Sequence, residues 1–210
     1  MEGIKKMATI TLRPIDAYDD AGTLFTHIKF SSITIANRWQ VVDEAVADDN
    51  TTAMYNDNGS TAGSELWELT DSSITAGIIS KVTFYIRHTT IGRGTSTYRA
   101  RAKPIVGTSL TDAGSYINTT SLDTFNTQAW EVTNNPLTSS AWVWANFVGV
   151  NKLYFGYTGQ ASQTNSSKYL HQITQYYITI TYVAPSTGIN FNDATCTKIN
   201  GATLTSLNGT

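Results

Sequence analysis

Apolar and polar residues alternate with a period of two over most of this chain, the pattern of strands that turn one face to a core. The clearest run is Thr174 to Tyr182, where Tyr176, Ile178, Ile180 and Tyr182 share one face and Gln175, Tyr177, Thr179 and Thr181 the other. Val82, Phe84 and Ile86 alternate likewise with Lys81, Thr83, Tyr85 and Arg87, and Tyr98, Ala100 and Ala102 alternate with Arg99, Arg101 and Lys103. Gly92-Arg93-Gly94 between these last two runs predicts that they form a hairpin. Further strands are predicted at Ala8 to Arg13, Ile33 to Val42, Glu65 to Leu69, Thr127 to Thr133 and Lys152 to Tyr157, separated by clusters of Gly, Asn, Asp and Ser. Ser139 to Val148 reads as a helical turn, because Trp142, Ala145 and Val148 recur every third residue after a proline. Many short strands and almost no helix predict an all-β antiparallel β-sandwich.

Composition narrows the partners. With 210 residues and 40% hydrophobic content the chain suits one compact domain with short appendages. Only 14% of its residues are charged and the net charge is −2. A general nucleic-acid binder would carry a basic footprint instead, so no nucleic-acid partner is expected. Cys196 stands alone and forms neither an internal disulfide nor a cysteine-rich metal site. Lys5 and Lys6 are followed by no apolar leader segment, and no run long enough to span a bilayer follows. Synthesis in the cytoplasm without a signal peptide, and no membrane insertion, are therefore expected.

The composition changes after Val183, where Ala184-Pro185-Ser186-Thr187-Gly188 reads as a linker. The expected organisation is an N-terminal tail over 1–7, a sandwich over 8–184, and a linker with a C-terminal arm over 185–210. Within the arm, Thr197-Lys198-Ile199-Asn200-Gly201 is echoed by Thr205-Ser206-Leu207-Asn208-Gly209. Asn-Gly favours tight turns, but two copies are too few to build a solenoid core.

Charge is segregated along the chain. Between Trp39 and Ser80 there is no Lys or Arg, yet Asp43, Glu44, Asp48, Asp49, Asp57, Glu65, Glu68 and Asp71 all fall there. From Lys81 to Lys103 there is no acid, and Arg87, Arg93, Arg99, Arg101 and Lys103 are candidate assembly residues that would meet the acidic block of a neighbouring subunit. The competing expectation is that the two segments pair within one subunit. Asp43, Glu44, Asp48 and Asp49 are the candidate oxygen ligands for calcium, although their spacing is not that of an EF-hand. No other cofactor is expected. Glu65 and Glu68 are the nearest approach to a glycosidase carboxylate pair, but three residues apart on a strand they fall on opposite faces. His27, His88 and His171 are scattered, and no nucleophile elbow or paired-histidine zinc motif occurs, so a non-enzymatic role is expected. Trp142, Trp144, Tyr157 and Tyr177 are the candidates for stacking on a surface glycan.

Three stretches carry a family resemblance: Trp39, Val42, Asp43, Glu44, Asp48, Asp49, Thr51, Thr52 and Tyr55; then Asn135, Pro136, Thr138 and Trp142; then Leu153, Phe155 and Gly156. Together they resemble a jelly-roll β-sandwich module of tailed-bacteriophage structural proteins, over roughly residues 8 to 184. The resemblance implies a jelly-roll-like fold and a virion structural protein that decorates the head or contributes to a fibre or tail appendage. Its implied partners are major capsid or fibre proteins and further copies of itself. The Asn-Gly repeat is similar to docking segments at the ends of such proteins, which makes Ile199, Asn200, Gly201, Leu207, Asn208 and Gly209 candidate assembly residues. The alternative implied by the aromatics is a carbohydrate-binding module or host-receptor adhesin.

Overall fold

A computed structural model describes residues 7–17, 27–29, 35–49, 51–56, 63–91, 96–104, 111–119, 124–161, 170–185, 198–199 and 202–203. The strands are β1 (Met7–Leu12), β2 (Pro14–Ala17), β3 (His27–Lys29), β4 (Ala53–Asn56), β5 (Gly63–Leu69), β6 (Ile78–Ile91), β7 (Ser96–Pro104), β8 (Thr111–Thr119), β9 (Asn126–Val132), β10 (Leu153–Ala161) and β11 (Leu170–Val183), followed by the two-residue strands β12 (Lys198–Ile199) and β13 (Ala202–Thr203). No α-helix occurs among the described residues.

The long strands form two antiparallel sheets packed as a sandwich. One runs β3-β4-β11-β6-β9, with β1 also beside β11, and the other runs β2-β5-β10-β7-β8. The pairings are nested: β7 with β8, β6 with β9, β5 with β10 and β4 with β11. Alternate pairs belong to opposite sheets. β11 is the organising strand. β6 follows one of its edges along its length, while the other edge is shared in sequence by β4, the Val42 carbonyl and β1. Val42 accepts the Tyr176 N–H at 2.8 Å at the point where neither strand reaches.

The predicted alternation places the core correctly on these strands. Val82, Phe84 and Ile86 of β6 and Tyr176, Ile178 and Ile180 of β11 are buried against Tyr98, Ala100 and Ala102 of β7 and Phe155 and Tyr157 of β10. Trp67 of β5 bridges the sheets, with its ring centroid 5.5 Å from Tyr157 and 4.7 Å from Tyr176. Phe155 touches Phe84 across the sandwich at 5.7 Å and stacks on Phe147 at 5.5 Å. Each such large apolar side chain contributes about 1.5–3 kcal/mol on burial, so these contacts dominate the stability.

Two local expectations are corrected and a third is met. Ile35–Val41, predicted within a strand, is a 3₁₀ segment with a kink at Asn37. Arg38 and Val41 are both buried, and residues three apart eclipse on one face of a 3₁₀ turn. The hairpin predicted through Gly92-Arg93-Gly94, which lies outside the described residues, does not form as a paired unit. β6 already has β11 and β9 on its two edges, so β7 lies in the opposite sheet, and the two strands face each other through the core. The helical turn expected within Ser139 to Val148 is present as a 3₁₀ turn at Trp144–Asn146, with a second at Gly149–Asn151.

Gly156 of β10 lies opposite Leu66, and a methyl group there would overlap the Glu65 carbonyl. Gly156→Ala should therefore destabilise the fold by about 3 kcal/mol, near the upper end of ordinary overpacking. A thermal melt checks this: the midpoint should fall by roughly 6–12 °C for a chain of this size, and an unchanged midpoint would contradict the close approach of β5 and β10.

Candidate functional site

The acidic segment is where sequence motif and structure meet. It crosses the end of the first sheet and is fastened there by main-chain and side-chain bonds. The Glu44 carbonyl accepts hydrogen bonds from Arg13 Nη1 and from Gln175 Nε2, the latter at 2.7 Å. Asp49 receives a forked pair of bonds from Arg87, with Nε to Oδ1 at 2.6 Å, and a third bond from Thr174 Oγ1 at 3.2 Å. Thr52 Oγ1 lies 2.8 Å from Asp48 Oδ2 and 3.5 Å from Glu44 Oε1. The Arg87 bonds hold the Asp49 carboxyl below the usual carboxylate range, and the same contact raises the guanidinium.

Glu44 is under the opposite pressure. Burial pushes its carboxyl up to about 7, with Asp48 and Asp43 adding to the rise. Asp43 is also raised, chiefly by burial. Glu44 Oε2 and Asp48 Oδ1 are buried without hydrogen-bond partners. The calcium expectation for Asp43, Glu44, Asp48 and Asp49 is corrected nonetheless. Asp49 is held by Arg87 and Thr174, and among the described residues no group of three or more acid, histidine or cysteine side chains is placed to hold a metal ion.

Glu65 and Glu68 do face opposite ways, the first buried and the second half-buried. Glu65 points inward on the face of Trp67 and forms a fully buried ion pair with Arg38, Nε to Oε2 at 2.8 Å, with exposures of 1% and 0%. Glu68 and Asp71 flank Lys152, whose ammonium lies 2.7 and 2.5 Å from them and donates to the Leu69 carbonyl at 3.1 Å. The Lys152 bond holds the Asp71 carboxyl low. Glu65 also helps raise the hydroxyl of the buried Tyr157, after the larger effect of burial itself. Sequence reasoning left Arg38 out of every site. Its signal was a lone cation three residues before the apolar Val41-Val42 pair.

The candidate assembly residues on β6 and β7 find partners inside the chain. Arg87 holds Asp49, which joins the basic segment to the acidic block within one subunit. Arg99 and Arg101 both pair with Asp112 of β8, the second at 2.7 Å, and the Arg99 guanidinium lies 3.6 Å from the centre of the Tyr116 ring. Lys103 is corrected from a surface cation to a buried one, 3% exposed. Ile199 lies in the β12–β13 ladder, opposite Ala202. Arg93, Asn200, Gly201, Leu207, Asn208 and Gly209 lie outside the described residues.

Three of the four candidate glycan-stacking residues are corrected to core residues. Trp142 donates its indole N–H to the Val132 carbonyl at 2.9 Å, and Trp144 donates to the Gly77 carbonyl at 2.9 Å while packing edge-on to Tyr182. Both point inward because their segment turns instead of running as a strand. Tyr157 is fully buried between the sheets. Tyr177 alone lies on an outward face, where it stacks on Tyr85 with centroids 4.6 Å apart and planes 11° from parallel. An open groove of about 280 Å³ is lined by Gly114, Glu131, Val132, Asn135, Pro136 and Ser139 among others, and Tyr177 is not part of it. Among the described residues no helix is long and apolar enough to cross a membrane.

Two measurements follow. Replacing only Arg38 by Met, or only Glu65 by Leu, should cost about 3–5 kcal/mol because each breaks one side of a buried ion pair, whereas the double replacement should recover most of that loss in denaturant unfolding. The second concerns Glu44. The folded chain keeps a proton there that the unfolded chain releases near 4.5, so stability should decline as pH rises from about 4.5 to about 7 and level off above. Glu44→Gln should flatten that part of the melting profile. Asp49 acts in a separate window, because its lowered value makes its contribution disappear only as pH falls below the ordinary 3.8.

No protein-family model matches the chain, and no curated protein matches it in sequence.

Proposed function

We propose that this chain is a non-enzymatic virion structural protein of a tailed phage, a jelly-roll that decorates the capsid or contributes to a fibre or appendage and is present in many copies on the particle surface. The observation that supports this reading is the structural employment of all three stretches that carry the family resemblance. Val42, Glu44, Asp49 and Thr52 fasten a loop across the main sheet. Asn135 is buried, caps its own turn through the Leu137 N–H at 2.9 Å, and anchors the turn that delivers Trp142 to the core. Phe155 fills the core, and Gly156 permits the close approach of β5. Residues at these spacings act as scaffold fasteners, which is what a module reused for assembly requires.

The basic residues of β6 and β7 have partners within the chain, so the assembly contact is assigned to the arm over 185–210, with Ile199, Asn200, Gly201, Leu207, Asn208 and Gly209 as its docking residues. The partners are other virion proteins, major capsid or fibre proteins, and sister subunits. Many copies make weak individual contacts sufficient through avidity.

Deleting 185–210 should leave the sandwich folded, with its melting midpoint within a few degrees of the full chain by circular dichroism, and should abolish incorporation into particles. Mass spectrometry and immuno-electron microscopy of purified particles read the outcome. Label over heads or fibres in the full chain and none in the truncation supports the proposal; absence of the full chain from particles removes it.

A further inference from the structure

The outward face of the first sheet carries an unfinished stack. Registry places Tyr177 of β11 opposite Tyr85 of β6, and Tyr85 opposite Ala129 of β9. On the far side, the Arg13 guanidinium lies 5.0 Å from the centre of the Tyr177 ring. Arg13, just past the end of β1, thus forms a column with Tyr177 of β11 and Tyr85 of β6, and on β9 the column meets only the methyl group of Ala129. Directly opposed side chains on a sheet stand about 4.5–5.5 Å apart at Cβ, so a larger residue at 129 would have covered the remaining ring face of Tyr85. Ala129 is itself exposed.

The slot over Ala129 is bounded by polar groups of both kinds. On one side Thr127, exposed, and Arg87 lie together, with Nη1 3.4 Å from the threonine hydroxyl. On the other side is the Lys81–Glu131 ion pair, whose carboxylate is 62% exposed. An aromatic wall, an apolar floor, and donors and acceptors at both ends suit a ring with one apolar face and a polar rim. Both flanking cations are already paired, Arg87 with Asp49 and Lys81 with Glu131, so the rim carries no net charge and gives a cationic side chain continuing the stack no unpaired carboxylate to meet. The neighbouring carboxylate disfavours an anion.

We propose that this slot binds a neutral pyranose ring, stacked on Tyr85, with its hydroxyls donating to Glu131 and accepting from Arg87 or Lys81. The site is independent of the virion reading: a surface glycan and a soluble saccharide present the same chemistry to it.

The test is titration of the full chain with methyl α-D-glucopyranoside, methyl β-D-galactopyranoside and methyl N-acetyl-β-D-glucosaminide, followed by NMR of the tyrosine rings and alanine methyls. At least one glycoside should produce saturable shifts at Tyr85 and Ala129, with a dissociation constant of about a millimolar. Tyr85→Ala removes the wall, and Ala129→Trp fills the slot from the exposed face of an edge strand without touching the core. Each should weaken binding by about tenfold or more. If Tyr85→Ala fails to fold, Ala129→Trp decides. No saturable shift with any of the three glycosides, or wild-type affinity in folded Ala129→Trp, overturns the proposal.

Discussion

The antiparallel pairing of β6 with β11 is the constraint on which the rest of the sandwich depends. Their ladder joins segments that begin at Ile78 and end at Val183, so a long stretch of chain is closed before the pairing yields any contact. Once formed, it supplies the floor for the core through Phe84, Ile86, Ile178 and Ile180, and it offers edges to β9, β4 and β1. Where β4 and β1 leave a gap along β11, the Tyr176 N–H would be an orphaned buried donor without the Val42 carbonyl. A buried backbone group without a partner costs as much as a lost hydrogen bond or more, which explains why an irregular segment is held so firmly at that point.

The same economy governs the charges. In a chain with so few ionised residues, two sets of buried charges are met by counter-ions: Arg38 with Glu65 between the sheets, and Lys152 with Glu68 and Asp71 at their margin. The acidic and basic segments, separate along the sequence, meet through Asp49 and Arg87 because the loop after Val42 is drawn across β11 toward β6. Glu44 is carried into that crowded place by its carbonyl, which two side chains require, and its carboxyl takes the consequence in a raised protonation range. Its main chain is needed there more than its charge.

For function, the division of labour lies between the two sides of the sheets. The inward side is closed by aromatic packing and by the Arg38–Glu65 pair, and Val42, Asp49, Thr52, Asn135 and Phe155 serve that closure or the loop beside it. The outward side of the first sheet holds the Arg13–Tyr177–Tyr85 column with its vacant fourth position over Ala129. A rigid sandwich that leaves such a face to solvent is suited to display, since the ladder beneath fixes the side chains it presents.

Period-two alternation alone identified β6, β7 and β11 and their inward residues, and it put Glu65 and Glu68 on opposite faces, because the direction of a side chain on a strand depends only on its neighbours in sequence. It failed where neighbours in space decide. Trp142 and Trp144 stood as candidates for stacking on a surface glycan, but the turn at Trp144–Asn146 places both indoles against main-chain carbonyls. Lys103 shares its strand face with Arg99 and Arg101 but is buried, and β6 and β7 read as a hairpin although each found its partners in a different sheet. Arg38 and Glu65 lie 27 residues apart, and nothing between them marks the pair. The sequence by itself determined the all-β class, the inward faces and the charge segregation, for these are local periodicities and compositions. Strand partners, the burial of individual polar groups and the Tyr85 slot were decided by the tertiary structure alone, because each depends on which distant segments the nested pairing brings together.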